Sequence, residues 1–215
     1  MRHNLCSGRI FTVNYKTETK KAYDNYASIF DEKFEIYTTE YINKEIELFA
    51  NRVPKGGKML DVGSGPGNHA LRFQQRGLDV TCIDISAPMV DICKQKGLKA
   101  IQMDFEDLKF PAESFDAVWA YTSFLHVPKN KLQNALKKVL KVLKKDGIFF
   151  LGMKAGQMDD FRDQPKKYPG TKRWFALYSD TELRKYLEPH FTIETFTETY
   201  VDDGDLYLNY LCHKK

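Results

Sequence analysis

Three acids and three glycines carry the chemistry for which this chain can be read. The stretch Asp61-Val62-Gly63-Ser64-Gly65-Pro66-Gly67 follows the apolar pair Met59-Leu60 and precedes Asn68-His69-Ala70. A buried strand therefore runs into a glycine turn and then a helix. Glycine at those positions lets the backbone turn tightly and come close to a ligand, where a Cβ would collide. The N–H groups opening the helix at Asn68 are unpaired, so they offer a donor surface to an anionic group. Asp61 sets a carboxylate beside that surface, suited to an ammonium or to orienting the loop. Asp84 and Asp104 close the next two apolar runs, Leu78 to Ile83 and Leu98 to Met103. In an open parallel sheet those ends form the ligand edge. Asp84 lies 23 residues beyond Asp61, the spacing at which an acid meets the two hydroxyls of a ribose. Asp104 can then accept from an exocyclic adenine amine, with Phe105 and Met89 as apolar walls. A glycine turn alone is also what a plain strand-to-helix connection looks like; the three acids point to an adenosine-bearing cofactor.

The elements that must hold these residues follow from periodicity. Residues 1–15 carry no decisive pattern and read as a loose arm. Helical spacing runs from Thr17 to Phe34 through Ala22, Tyr26, Ile29 and Phe30, and again from Thr39 to Val53 through Ile42, Ile46, Phe49 and Ala50. Pro54 and Gly56-Gly57 end the second helix. Both precede the glycine stretch and are expected to cover or flank it. Downstream come a helix from Asn68 to Arg76, a strand to Ile83, a helix from Ala87 to Lys96 with Ser86 as its N-cap, and a strand to Met103. A strand Phe115–Tyr121, a lysine-faced helix and a strand Ile148–Met153 complete the alternation. Strands alternating with helices imply parallel βαβ units and an open sheet covered on both faces. Residues 155–175 read as a polar, irregular loop punctuated by Pro165, Pro169 and Gly170. A helix from Ser179 to Leu187 follows. Phe191–Thr197 and Leu206–His213 then read as an antiparallel pair joined by the turn Asp202-Asp203-Gly204-Asp205.

Length and composition bound the rest. The 215 residues, 42% hydrophobic and 13% aromatic, suit one globular domain. Within it, 1–54 form the arm and lid helices, 55–154 the cofactor-binding core and 155–215 a substrate loop with the C-terminal strands. No apolar run reaches membrane-spanning length, and residues 1–10 hold no secretory apolar stretch. Cys6, Cys82, Cys93 and Cys212 show no metal-ligand or C-x-x-C spacing. They read as reduced thiols in a cytoplasmic protein. The net charge of +4 resides largely in lysines opposite the apolar face of residues 129–145. Without interleaved aromatics this is a solvated face, so no nucleic-acid partner is expected.

Taken together, Asp61 to Gly67, Ile83-Asp84-Ile85-Ser86 with Met89, Asp104-Phe105, and Phe115-Asp116-Ala117-Val118 followed by Phe124-Leu125-His126 resemble the successive motifs of class I S-adenosylmethionine-dependent methyltransferases. Tyr23-Asp24 with Ala27 and Phe30-Asp31 resembles the lid helix of the small-molecule branch. The resemblance implies a Rossmann-like, mostly parallel seven-stranded sheet with helices on both faces and an antiparallel last strand. It places Gly63, Ser64, Gly65 and Gly67, with Asp61, around the methionine part of the cofactor, Asp84 and Ile85 at the ribose, and Asp104, Phe105 and Met89 at the adenine. Tyr23 and Tyr121 complete the expected cofactor shell. A nicotinamide-dependent dehydrogenase shares the adenosine half-site, but its fingerprint wants glycine where this chain has Asn68. A cofactor-binding protein without catalysis is the alternative from another class.

Methyl transfer from a sulfonium asks mainly for alignment and exclusion of water. His126 is the one candidate for a base, were the acceptor to lose a proton early; His69 reads as packed or solvated. The acceptor pocket is expected among the N-terminal helices, the segment after Tyr121 and residues 155–175. There Trp174 and Phe175 suit a flat or apolar molecule, or anchor the loop, and Arg173 suits a carboxylate or phosphate. After the fourth strand the chain reads Ala120-Tyr121-Thr122-Ser123, not an asparagine-proline-proline-tyrosine motif. That favours a small-molecule acceptor over nucleic acid or protein.

Overall fold

The computed structural model describes residues 14–201 and 204–215. Seven strands form the central sheet: β1 (Lys58–Val62), β2 (Asp79–Asp84), β3 (Lys99–Gln102), β4 (Phe115–Tyr121), β5 (Leu143–Lys154), β8 (Phe191–Tyr200) and β9 (Leu206–Lys214). Their order is β3-β2-β1-β4-β5-β9-β8. The first five are parallel, and β9 runs antiparallel between β5 and β8. β6 (Asp159–Asp163) and β7 (Lys172–Ala176) form a separate antiparallel hairpin.

Both faces of the central strands are apolar, as burial under two helical layers requires. Along β4, Val118 and Ala120 enter one core, while Ala117, Trp119 and Tyr121 enter the other. Helices α6 (Lys129–Val142) and α7 (Asp180–Leu187) cover the first face. The second is covered by α3 (Asn43–Ala50), α4 (Asn68–Gln75) and α5 (Ala87–Gln95). The apolar stripe of α6 is Leu132, Ala135, Leu136, Val139 and Val142, with Lys131, Lys137 and Lys141 left exposed. Ser86 and Ser179 cap α5 and α7 by accepting N–H from Met89 and Glu182. Among the described residues no helix is long and apolar enough to cross a membrane.

Several sequence expectations need correction. The helix expected over 17–34 is two, α1 (Tyr15–Asn25) and α2 (Ala27–Glu40), broken at Tyr26 with φ −127° and ψ 26°. There the Tyr26 hydroxyl donates to the Pro169 carbonyl at 2.7 Å, so a tertiary contact overrides a helical period that runs on across the break. α3 begins only at Asn43 for the same kind of reason, the segment after Glu40 turning to bring Ile42 into the core. β5 starts at Leu143, paired with Phe115, five residues ahead of the expected Ile148. Residues 155–175 are irregular only in part: Phe161 pairs with Trp174 and Arg162 with Arg173 in the β6–β7 hairpin, and the proline-punctuated stretch 164–171 is its connection. The strands' charged residues mask the alternation. Of the loose arm, residues 1–13 lie outside the described residues, as do Asp202 and Asp203 of the expected turn, whereas Tyr15 already opens α1.

Phe49 docks α3 on the sheet, its ring 5.1 Å from Trp119, 5.2 Å from Phe73 and 6.2 Å from Phe150. It is fully buried. Phe49→Ala is expected to lower unfolding free energy by about 3–5 kcal/mol, read as a lower urea midpoint at unchanged slope.

Candidate active site

The glycine turn at the end of β1 is set by three different constraints. All three glycines have positive φ. A Cβ on Gly63 would stand 2.5 Å from Ser123 Cβ, and one on Gly67 would stand 2.5 Å from Leu98 and 2.9 Å from Cys93 Sγ. Those two are glycine for packing. A Cβ on Gly65 would meet only the Phe34 ring, at 3.6 Å, and would project where two cavities meet.

Asp84, at the end of β2, accepts N–H from Gly65 at 2.9 Å and from Ser86 at 2.8 Å. It thereby ties the turn to the start of α5. Burial pushes its carboxyl up to about 6, against the pull of those N–H groups. Asp61 is more extreme. It is buried, its Oδ2 has no hydrogen-bond partner, and burial with the Asp84 charge raises its carboxyl to about 8. Two thiols sit beneath: Cys93 Sγ donates to the Gly65 carbonyl at 3.2 Å, and Cys82 on β2 stands beside Asp61. Both are free and buried, as is Cys212 on β9, away from the turn. Cys6 lies outside the described residues.

The smaller cavity, about 80 Å³, is lined by Thr19, Asp84, Ile85, Phe105 and Ser123 among others. The larger, about 290 Å³, runs past Asp61, Ser64, His69 and Tyr121 beneath α2 and the hairpin. Tyr23, Phe34, Gly63, Gly65, Thr122 and His126 line both. Nine of the twelve expected cofactor residues line one or both cavities. Met89 does not face it; the side chain is fully buried beneath Ala27, Phe30 and Tyr168 and supports the lid. Gly67 stands behind the turn as the N-cap of α4. Asp104 lines neither cavity. Its carboxylate takes the Lys16 ammonium at 2.6 Å and the Glu106 N–H at 2.8 Å. Tyr15 donates to Glu106 at 2.5 Å beside them. The start of α1 is thus pinned to the acid expected at the adenine.

His126 is held on both ring nitrogens. Nδ1 lies 2.6 Å from the Trp174 carbonyl, which can only accept, so Nδ1 carries the proton. Nε2 then accepts from the Tyr23 hydroxyl at 2.7 Å, and Tyr23 in turn accepts from Arg173 at 3.1 Å. Burial and the Arg173 charge push the imidazole down to about 3, keeping it neutral. Trp174 itself anchors the hairpin, its backbone N–H donating to Thr19 at 3.0 Å and its indole to Asp159 at 3.0 Å. Phe175 lines the larger cavity. His69, expected to be packed or solvated, lines it too and accepts the Trp119 indole N–H at 3.2 Å. The junction residues Phe34 and Thr122 were not expected. Phe34 lies one helical turn beyond Phe30 on α2, and Thr122 follows β4 at the ligand edge with a positive φ of 56°.

A methyltransferase-domain family model matches residues 60–151, from β1 to β5. An uncharacterised protein of Methanocaldococcus jannaschii is 32% identical over 173 residues, 77% of this chain and 79% of that one. The chain belongs to the class I S-adenosylmethionine-dependent methyltransferases. YqeM of Bacillus subtilis, named as a methyltransferase, is 30% identical over 59% of this chain and 53% of its own length. The chain thus spans about half of that relative. It spans 32% and 40% of a sterol and a tRNA methyltransferase that it also resembles. A Burkholderia thailandensis N1-methyltransferase, solved with 1,6-didemethyltoxoflavin and S-adenosylhomocysteine, shares the fold at TM-score 0.73 and 16% identity, covering 100% of this chain and 93% of its own.

The methyltransferase's cofactor is S-adenosylmethionine, and the residues present fit it. Asp61 Oδ2, buried without a partner, is an acceptor for the cofactor's ammonium. Gly65, glycine by its positive φ, leaves the space in front of it open where the two cavities meet, and each Asp84 oxygen keeps a lone pair for a ribose hydroxyl.

A buried carboxyl near 8 makes binding pH-dependent. Pairing with an ammonium ionises Asp61, so binding at pH 7 should release about one proton, and affinity should rise with pH toward 8. Calorimetry with S-adenosylhomocysteine in buffers of different ionisation enthalpy reads this, and Asp61→Asn should abolish the release. The folded-state pKa lies above the ordinary carboxylate value, so wild-type stability falls as pH rises from about 4 to 8. Asp61→Asn should therefore melt higher than wild type at pH 8 and alike at pH 4.

Proposed function

We propose that this methyltransferase alkylates a small molecule seated in the larger cavity. The observation that carries the reading is the junction. The two cavities meet at Gly63, Gly65 and Thr122 beneath Tyr23, Phe34 and His126, so a cofactor along the strand ends would present its methyl group to the larger space. α1, α2 and the hairpin roof that space, which suits a compact acceptor more than a polymer. The Burkholderia neighbour, solved with a small heterocycle, supports the same assignment.

Bound S-adenosylmethionine supplies an electrophilic methyl group on a sulfonium. The chain's own residues hold and enclose. Asp61, Asp84 and the Gly65 turn would fix the cofactor, Phe34 and Phe175 would give the acceptor an apolar seat, and the lid would exclude water. His126 is poorly suited to be a base, since both nitrogens are engaged and the ring is held neutral. Its geometry makes it a clamp joining Tyr23 of α1 to β7. His126→Ala should therefore speed amide hydrogen exchange in both α1 and residues 172–176. The pH profile of turnover should show no inflection lost with the imidazole.

Incubating the purified protein with methyl-labelled S-adenosylmethionine and a cell extract tests the assignment. Label is expected in the fraction that passes an ultrafiltration membrane retaining protein and RNA. Label confined to the retained fraction would assign a macromolecular acceptor. Cofactor binding with no labelled product in any extract fraction would favour a catalytically idle cofactor-binding protein.

A further inference from the structure

Among the described residues, Arg173 stands out in the larger cavity as a cation without a carboxylate at ion-pairing distance. Its guanidinium lies among four rings, 5.0 Å from Phe175, 5.1 Å from Phe30 and from Tyr168, and 5.4 Å from Tyr23. Both of its hydrogen bonds go to neutral oxygens: Nη1 to the Tyr23 hydroxyl at 3.1 Å and Nη2 to Gln164 Oε1 at 2.7 Å. Among the described residues no carboxylate lies within ion-pairing distance of it. The rings and the two bonds hold the fork in place and leave three of its five N–H donors unused, on a residue that lines the cavity.

The surroundings add to the imbalance. Lys33, Lys154, Arg162, Lys167 and Arg173 line the cavity, against Asp61 and Asp205. Asp205 is already paired with Lys154, and burial holds Asp61 toward its neutral form until an ammonium arrives. The cofactor's sulfonium would bring one more positive charge. A held guanidinium facing a positively biased, partly closed space recognises a planar anion, which it can take through two parallel N–H bonds.

We infer that the acceptor carries a carboxylate or phosphate that docks on Arg173, with its apolar body against Phe34 and Phe175. This rests on the larger cavity being the acceptor site. The anion supplies the missing counter-charge, and the anchor turns the opposite end of the molecule toward Gly65 and Thr122. Arg162 and Lys167, exposed at the mouth, attract the anion without fixing it.

The test uses the 215-residue protein with S-adenosylhomocysteine present and three phenyl probes, benzoate, its neutral isostere benzamide, and phenyl phosphate, followed by ligand-observed NMR. At least one anion should bind about ten-fold or more tightly than benzamide. The better of the two tells carboxylate from phosphate. Arg173→Gln should bring the anion-to-neutral ratio close to one, Arg173→Lys should restore part of it, and Lys167→Gln should keep most of it. A merely structural Arg173 would weaken all three probes alike. Equal binding of benzamide and both anions to wild-type protein, or saturable binding of neither anion, overturns the inference and needs no variant to fold. Failure to bind S-adenosylhomocysteine would instead refute the underlying site, a result read separately by calorimetry.

Discussion

Asp84 accepts two backbone N–H groups that no other side chain is placed to serve, and the site depends on that pair of bonds. One comes from Gly65, in the middle of a turn whose positive φ values leave few alternatives. The other comes from Ser86, which in turn caps α5. A single carboxylate therefore fixes the turn over β1 relative to the helix after β2. The parallel register between β1 and β2, Val62 opposite Ile83, brings the two strand ends level so that this can happen. The cost is burial of two carboxyls: burial pushes both up, and the Asp84 charge raises Asp61 further.

The cover is built by a different logic. β7 reaches the main core through Phe175 and Ala176, whereas α1 and the rest of the hairpin are joined to the site largely through polar side chains and ring edges. Arg173, Tyr23, His126 and the Trp174 carbonyl form one run of donors and acceptors whose directions are all determined. Because Trp174 also donates its N–H to Thr19, the run closes back on α1. Such a network is satisfied only when helix, hairpin and strand end are together, so the roof and the junction of the cavities form as one unit.

The strands and the acids at their ends were legible because they obey local rules. β4 shows an apolar run of strand length, and Asp61, Asp84 and Asp104 each stand where such a run stops. The lid was less legible. The break at Tyr26 depends on Pro169, 143 residues away, and no window of sequence contains both. The hairpin was hidden because Asp159, Asp160, Arg162 and Asp163 give β6 little β-forming character; the strand exists because its partner brings Trp174 and Phe175. Asp104 was placed on the right edge, yet its charge is shared with Lys16 from the first turn of α1, a pairing that spacing cannot reveal. Thr122 carries a strained backbone that nothing in its type announces.

Asp61 shows why these features coexist. A carboxyl buried without a partner opposes folding, since the chain must either hold a proton there or desolvate a charge. Asparagine would fill the same volume without that penalty. What aspartate alone offers is a full negative charge once a cation is beside it, in a setting where water cannot compete for the pair. The same reasoning applies in reverse to Arg173, a held cation whose bonds end on neutral oxygens. The two lie on the wall of one cavity. An ammonium beside Asp61 would draw the proton off its carboxyl, and an anion beside Arg173 would supply the counter-charge its neutral partners do not. Each ligand would thus be met by a group whose bare burial costs the free protein stability.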